Sequence, residues 1–244
     1  MSSEREVSIV VLTGAGISAD SGLATFRDAG GLWEGHKVED VATPEAWARN
    51  PALVWRFYQL RRAQLATVVP NAAHHALVDF ERHCNERDIP FLLVTQNVDD
   101  LHDRAGSKRL LHMHGELTAF RCERCDTRVR ELTSLDPERY LACPACANPR
   151  LRPDIVWFGE MPYHMDEIEQ ALSTCTHFLA IGTSGTVYPA AGFLDQARRS
   201  GAHTYVQALE RPAGCSASDE LILGPSALYL NGLLSRVAHE LNCG

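Results

Sequence analysis

Three apolar runs that stop abruptly at glycine or polar clusters constrain this chain more than any other feature. Residues 7–12, 89–95 and 177–181 read as buried strands. They end in Thr13-Gly14-Ala15-Gly16, Gln96-Asn97-Val98-Asp99 and Gly182-Thr183-Ser184-Gly185. Helical patterns separate them. Thr43-Pro44 and Asn50-Pro51 are cap-then-proline starts, and Leu53, Val54, Phe57, Leu60 and Leu65 carry an apolar face toward Val69-Pro70. Asn71 is placed to cap a helix over 72–87, and 166–175 and 190–199 read as further helices. Residues 204–208 read as another strand, 110–115 as a short strand ending at glycine, and 155–158 as extended. In the tail, 227–230 reads as a last strand with a short helix after it. Strands alternating with helices predict an α/β fold, a doubly wound parallel sheet of Rossmann type. Ligands of such sheets bind at the carboxyl ends of the strands, where the three clusters fall.

The first cluster continues as Gly14-Ala15-Gly16-Ile17-Ser18-Ala19, a G-x-G-x-x-A run between a strand and a helix start. Such glycines let backbone approach a pyrophosphate, and the helix N-terminus supplies positive potential. The same pattern also suits any tight turn in an α/β protein. A dehydrogenase would proceed to a second strand with an acid for the ribose about 20 residues on. Here Gly22, Phe26, Arg27, Gly30, Gly31 and Trp33 describe a long loop instead, one able to fold over a bound cofactor.

A chain of 244 residues can hold one domain with an insertion or two unequal domains. A net charge of −8 argues against direct nucleic-acid binding. No run is long and apolar enough for a membrane span, and the start Met-Ser-Ser-Glu-Arg-Glu resembles no signal peptide, so a cytoplasmic location is expected. Eight cysteines in that compartment are not a disulfide set. Cys84, Cys175, Cys215 and Cys243 are scattered and read as incidental. Cys122-x2-Cys125 and Cys143-x2-Cys146, 17 residues apart, form the spacing of a zinc ribbon. Four thiolates would close the coordination shell, so the metal is expected to be structural; two pairs of unligated thiols are the plainer alternative. His112 and His114 lie two apart and would share a face of a strand. A metal pair is one reading, though no third ligand suggests itself. An acid–base group at His114, beside Gly115, is the other.

Taken together, Gly14-Ala-Gly-Ile-Ser18 with Phe26-Arg27, Thr95-Gln-Asn-Val-Asp99, His114-Gly115, the paired Cys-x2-Cys, Phe158-Gly159-Glu160 and Gly182-Thr183-Ser184 resemble the sirtuins, in that order and over residues 7–210. The resemblance implies an NAD-dependent protein-lysine deacylase acting on acylated-lysine proteins or peptides. It implies a Rossmann-type unit (1–35, 72–116 and 152–244) and a small domain from a helical insertion (36–71) and a zinc-ribbon insertion (117–151). It places Gly14, Ala15, Gly16 and Ser18 at the phosphates, and Phe26, Arg27 and Trp33 in the cofactor loop. Gln96, Asn97 and Asp99 would line the ribose and nicotinamide, and Gly182, Thr183 and Ser184 the adenosine side, with Glu210 and Ser226 near the adenine. Val156, Phe158 and Gly159 would offer a strand edge to an extended peptide. The implied chemistry is attack of the acyl oxygen on C1′ of the nicotinamide ribose with loss of nicotinamide. His114 then acts as general base on a ribose hydroxyl, and O-acyl-ADP-ribose is released.

Tyr58 and Arg61 share a helix face, which by itself describes an ordinary amphipathic helix with a solvated arginine. Class III sirtuins of bacterial type carry a Tyr-x-x-Arg pair here, which implies removal of succinyl and malonyl groups, with acetyl also accepted. Arginine takes a carboxylate bidentately and tyrosine adds a donor, while Ala42 would widen the pocket mouth. Two departures stand out. Thr25 replaces the frequent Asp, as in class III, and Ala208 stands where relatives usually have Asn for the adenosine ribose. The lost amide is expected to weaken NAD binding by about 1 kcal/mol or more. A mono-ADP-ribosyltransferase, or a noncatalytic NAD or ADP-ribose-binding module, would share cofactor and fold.

Overall fold

The computed structural model describes residues 6–24, 32–33, 35–130 and 136–243. Strand β1 (Ile9–Thr13) leads into a single turn α1 (Gly16–Ala19), then a hairpin of β2 (Leu32–Trp33) and β3 (His36–Lys37). Three helices follow, α2 (Val38–Val41), α3 (Pro44–Arg49) and α4 (Pro51–Leu65), then α5 (Ala72–Asn85), β4 (Phe91–Thr95), α6 (Leu101–Ala105) and β5 (Leu110–His112). Next come β6 (Gly115–Arg121), β7 (Arg128–Arg130) and β8 (Arg152–Ile155). The chain closes with α7 (Met165–Thr174), β9 (His177–Ile181), α8 (Phe193–Arg199), β10 (His203–Ala208), β11 (Glu220–Leu223) and α9 (Ser226–Cys243).

The local starts follow from the caps. The Thr43 hydroxyl accepts from the Ala46 amide at 3.0 Å, and the Asn50 side chain accepts from Leu53 at 3.2 Å, each with proline at the first helical position. Asn71 caps α5 by accepting from Ala73, and His74 reaches back to the Asn71 amide. α4 stops at Leu65, short of the Val69-Pro70 end read from the apolar spacing.

Six parallel strands form the main sheet in the order β11-β10-β9-β1-β4-β5. Every residue of β1 is buried, so alternate residues serve opposite faces. Ile9 and Val11 pack with Leu77, Phe80, Leu230 and Leu234 of α5 and α9. Val10 and Leu12 pack with Ile168, Leu172, Phe193 and Ala197 of α7 and α8. Thr13 is in register with Thr95 on one side and Ile181 on the other, which sets Gly14, Gln96 and Gly182 side by side at one rim. A three-stranded antiparallel sheet, β7-β6-β8, is separate. Its apolar residues Leu117, Phe120 and Ile155 share one cluster with Val41, Trp47, Trp55 and Tyr58 from α2 to α4.

Three expectations are corrected. The tail is no strand at 227–230: it is the 18-residue helix α9, and the edge strand lies earlier, at β11. Leu230, Leu233, Leu234 and Val237 are buried at the helical spacing i, i+3, i+4, i+7, whereas the four-residue run alone suited either period. The strand over 110–115 ends at His112, and Gly115 opens β6 in the other sheet. A Cβ at Gly115 would stand 2.0 Å from the Asp154 carbonyl oxygen, and its φ is +80°, so only glycine fits this crossing. β8 ends at Ile155, so 156–158 leaves the sheet. Among the described residues no helix is long and apolar enough to cross a membrane.

Candidate active site

At the aligned strand ends a cavity of about 540 Å³ opens between the large sheet and the small one. It gathers most of the residues singled out in the sequence. Gly14, Ala15, Gly16, Ser18, Gln96, Asn97, Asp99, Gly182, Thr183 and Ser184 form its floor, with Glu210 at one end. His114, Tyr58, Arg61, Ala42, Val156, Phe158 and Gly159 form the other side. Leu23, Gln64, Trp157, Val187 and Tyr188 also line it and were not picked out, because nothing in their local sequence marks them as facing a ligand. Ser226 is not among the lining residues; its buried hydroxyl donates to the Gln207 side chain at 2.5 Å. Phe26 and Arg27 lie outside the described residues, and for Trp33 only the backbone, in β2, is described.

The glycines of the first loop have a packing task that the motif does not reveal. A Cβ at Gly14 would meet the Gly182 carbonyl oxygen at 2.9 Å, and one at Gly16 would meet it at 2.7 Å. The Gly16 amide donates to that oxygen at 2.8 Å. The β1 and β9 loops therefore touch backbone to backbone. The Gly16, Ile17 and Ser18 amides are already bonded, to Gly182, Gly14 and Ala15 carbonyls, so what this turn offers a phosphate is its positive potential rather than these three N–H groups.

Ser18 ties the floor together. Its hydroxyl donates to Asp99 Oδ2 at 2.9 Å and accepts from the Asn97 amide at 3.1 Å. Asp99 also accepts from the Leu101 amide at 3.1 Å, and burial pushes its carboxyl above the usual range despite both bonds. Gln96 Nε2 donates to Thr183 Oγ1 at 3.0 Å, linking the second and third clusters. Beneath lies a buried histidine pair, His74 and His102, with ring centres 4.8 Å apart. His74 Nδ1 accepts from the Asn71 amide, so Nε2 carries the hydrogen that faces Ser18 at 3.5 Å.

Burial lowers the His74 pKa from 6.5 to about 4 and depresses His102 in the same sense. An unfolded chain takes these protons near pH 6.5, whereas the native state refuses them until lower pH. Stability therefore falls as pH drops from about 6.5 and levels off once the native groups titrate. His74 alone costs on the order of 3 kcal/mol by pH 4. Urea unfolding across pH 7 to 4.5 measures this, and a flat profile would contradict it.

His114 sits in the turn between the two sheets. Its Nδ1 lies 3.0 Å from the Gln96 carbonyl oxygen, to which it donates, so Nε2 is the basic nitrogen. Burial lowers its pKa, with the Gln96 bond opposing, which keeps the imidazole neutral near pH 7. His112 faces elsewhere: Nε2 is 2.9 Å from Asp103 Oδ2, with Glu116 nearby and itself paired to Arg130. The third and fourth polar groups that the His-x-His pair lacked in sequence are thus present. They are tied up as ion pairs, and His112 and His114 do not share a ligand.

In the small sheet the four cysteines cluster as their spacing predicted. Cys122 and Cys146 Sγ are 3.6 Å apart, as are Cys125 and Cys143 Sγ. Tetrahedral zinc with bonds of about 2.3 Å requires close to that separation. The four thiolates can therefore hold a structural zinc. Leaving β8, the Val156, Trp157 and Phe158 amides already donate to His114 O, Glu160 Oε2 and Ala42 O. An extended peptide laid here would be held mainly through its own N–H groups.

The chain matches the model of the Sir2 family over residues 14–189. It is 61% identical over 189 residues to an NAD-dependent protein deacylase of Bdellovibrio bacteriovorus, covering 76% of this chain and 78% of the relative. It is 48% identical over 234 residues to one of Caulobacter vibrioides, covering 96% and 98%. A solved Sir2 homologue–NAD complex superposes with a TM-score of 0.84 at 32% identity, covering 96% of this chain and 90% of that one.

Proposed function

The chain belongs to the Sir2 family of NAD-dependent protein deacylases, and from this premise we propose that it removes acidic acyl groups, succinyl and malonyl, from lysine, and acetyl as well. The observation that carries the acyl preference is the pairing of Tyr58 and Arg61 in the wall of the cavity beside the small Ala42. A guanidinium and a phenol are both donors, and a carboxylate accepts from both. We assign the large sheet to the cofactor unit, with 36–71 and 117–151 as one small domain. The shared apolar cluster of α2–α4 with β6 supports that division, and β8, paired with β6, carries the small sheet past 151 to Ile155. The cysteine ligand set, which requires reduced thiols, supports a cytoplasmic location.

The residues present suit NAD: amide, hydroxyl and carboxylate groups at Gln96, Asn97, Ser18 and Asp99 match sugar hydroxyls and a carboxamide. Bound NAD supplies a ribosyl carbon from which nicotinamide departs, and O-acyl-ADP-ribose is the expected product. Asp99, held by Ser18 and Leu101, and Asn97, held by Ser18, orient the pocket. His114 acts as general base through Nε2, its other nitrogen being committed to Gln96. Val156 to Gly159 supports the acylated peptide.

Mass spectrometry of acetyl- and succinyl-lysine peptides with and without NAD tests this. Arg61→Met removes a charge-assisted contact of about 1.5–3 kcal/mol. Succinyl removal should fall about ten- to a hundred-fold further than acetyl removal. An unchanged succinyl rate would remove the pocket from consideration.

A further inference from the structure

Trp157 lies next to the Tyr58–Arg61 pair and is buried at 2% exposure. Its indole Nε1–H donates to Tyr58 Oη at 3.0 Å. An indole nitrogen only donates, so Tyr58 must accept on that side. A phenol proton has two positions near the ring plane, and the one facing another donor is closed to it. The Tyr58 proton is thereby turned away from Trp157. Arg61, three residues on, is also a pure donor. Burial pushes the Tyr58 pKa up, so the phenol keeps its proton throughout the working range.

The indole itself has little freedom. The Arg152 guanidinium carbon sits 3.4 Å from a Trp157 ring centre. Arg152 donates to both oxygens of Glu160 at 2.7 and 2.9 Å, and Glu160 Oε2 accepts the Trp157 backbone amide at 2.8 Å. Arg121 adds a further bond to Glu160 at 3.2 Å. A stacked cation on one face and a pinned backbone leave the N–H aimed at Tyr58.

Resting on the acyl-pocket reading above, we propose that Trp157 is a specificity-determining positioning residue: its indole N–H orients the Tyr58 hydroxyl as a donor to the carboxylate of an acidic acyl group. A neutral acetyl ends in a methyl and has no oxygen there to receive that proton, so the effect bears on acid-tipped acyl chains. Trp157 touches the reaction only through Tyr58.

Trp157→Phe keeps an aromatic ring over Arg152 and removes the N–H. The readout is kcat/KM for succinyl- and acetyl-lysine peptides, taken in wild type, Trp157→Phe, Tyr58→Phe and the double variant. The succinyl-to-acetyl ratio should fall at least five-fold in Trp157→Phe, mainly through KM for the succinyl peptide. In the Tyr58→Phe background the same substitution should leave the ratio within two-fold, because the hydroxyl through which it acts is gone. An equal loss for both peptides, or a ratio change that persists without the Tyr58 hydroxyl, overturns the proposal. Arg61→Met separates the two levels. If it lowers the ratio while Trp157→Phe does not, the pocket stands and the role of Trp157 falls. If it leaves succinyl removal unchanged, both fall together.

Discussion

His114→Ala is expected to lower deacylation by about 10²- to 10⁴-fold while leaving the fold and zinc content unchanged. The size of the effect follows from the geometry. The imidazole lies in the cavity wall and is held through Nδ1 by the Gln96 carbonyl, which leaves Nε2 as its basic nitrogen. Among the described residues of that wall, burial holds Asp99 toward its protonated form, and Ser18 is committed to it, which leaves His114 as the neutral base. His114→Tyr should do the same, since a phenol is a poor base near pH 7. Mass spectrometry of an acyl-lysine peptide with NAD reads the loss, and the melting temperature reads the fold. The wild-type profile of kcat/KM against pH carries the sign. Only the neutral imidazole accepts a proton, and its pKa is lowered, so activity should rise with pH along an acid limb centred below 6.5 and be flat above it. A fully active His114→Ala protein, or an acid limb above 6.5, would sink the assignment.

Removal of the zinc that the four cysteines can hold should be as damaging, because the small sheet is built on that cluster. Among the described residues from Cys122 to Cys146, Val129, Tyr140 and Leu141 are the large apolar side chains that pack on the core. The sulfur cluster takes the place of a core, as in small metal-stapled modules, where zinc binding contributes on the order of 10 kcal/mol of folding free energy. β6 and β8 join this cluster directly to the site. Gly115, beside His114, opens β6, and Val156 follows the end of β8. Loss of the metal is therefore expected to melt the antiparallel sheet, free both His114 and the 156–159 segment, and abolish activity. Trp55, 5.2 Å ring to ring from Phe120 of β6, reports the change by fluorescence. Chelation, or Cys143→Ala, should release the zinc, shift the emission and lower the melting temperature by more than 10 °C, on the scale set by a few kcal/mol in a domain of this size. Full activity after complete zinc loss would show that the sheet holds without it.

Locally encoded features were legible in advance. The three all-apolar runs became central strands because a strand buried on both faces leaves that signature. Thr43, Asn50 and Asn71 cap the helices they were expected to cap, because a cap depends on residues three or four positions away. The cysteine spacing likewise carries its own geometry. The four-residue run at 227–230 failed for the converse reason: a run that short carries no period, and only the partners supplied by α5 and β10 decide that it belongs to α9.

The site divides in the same way. Sequence alone determined which polar clusters end which strands, that two Cys-x2-Cys pairs can bind one metal, and that His114 and the Tyr58–Arg61 pair merit attention. Only the tertiary structure decided that Gly14 and Gly16 are small because Gly182 presses against them, and that His112 turns to Asp103 while His114 turns to Gln96. It also decided that Trp157, 99 residues from Tyr58, holds that hydroxyl. Spacing along a chain reports neighbours within one element. Contacts between residues far apart in the chain exist only once separate elements are packed, and no periodicity records them.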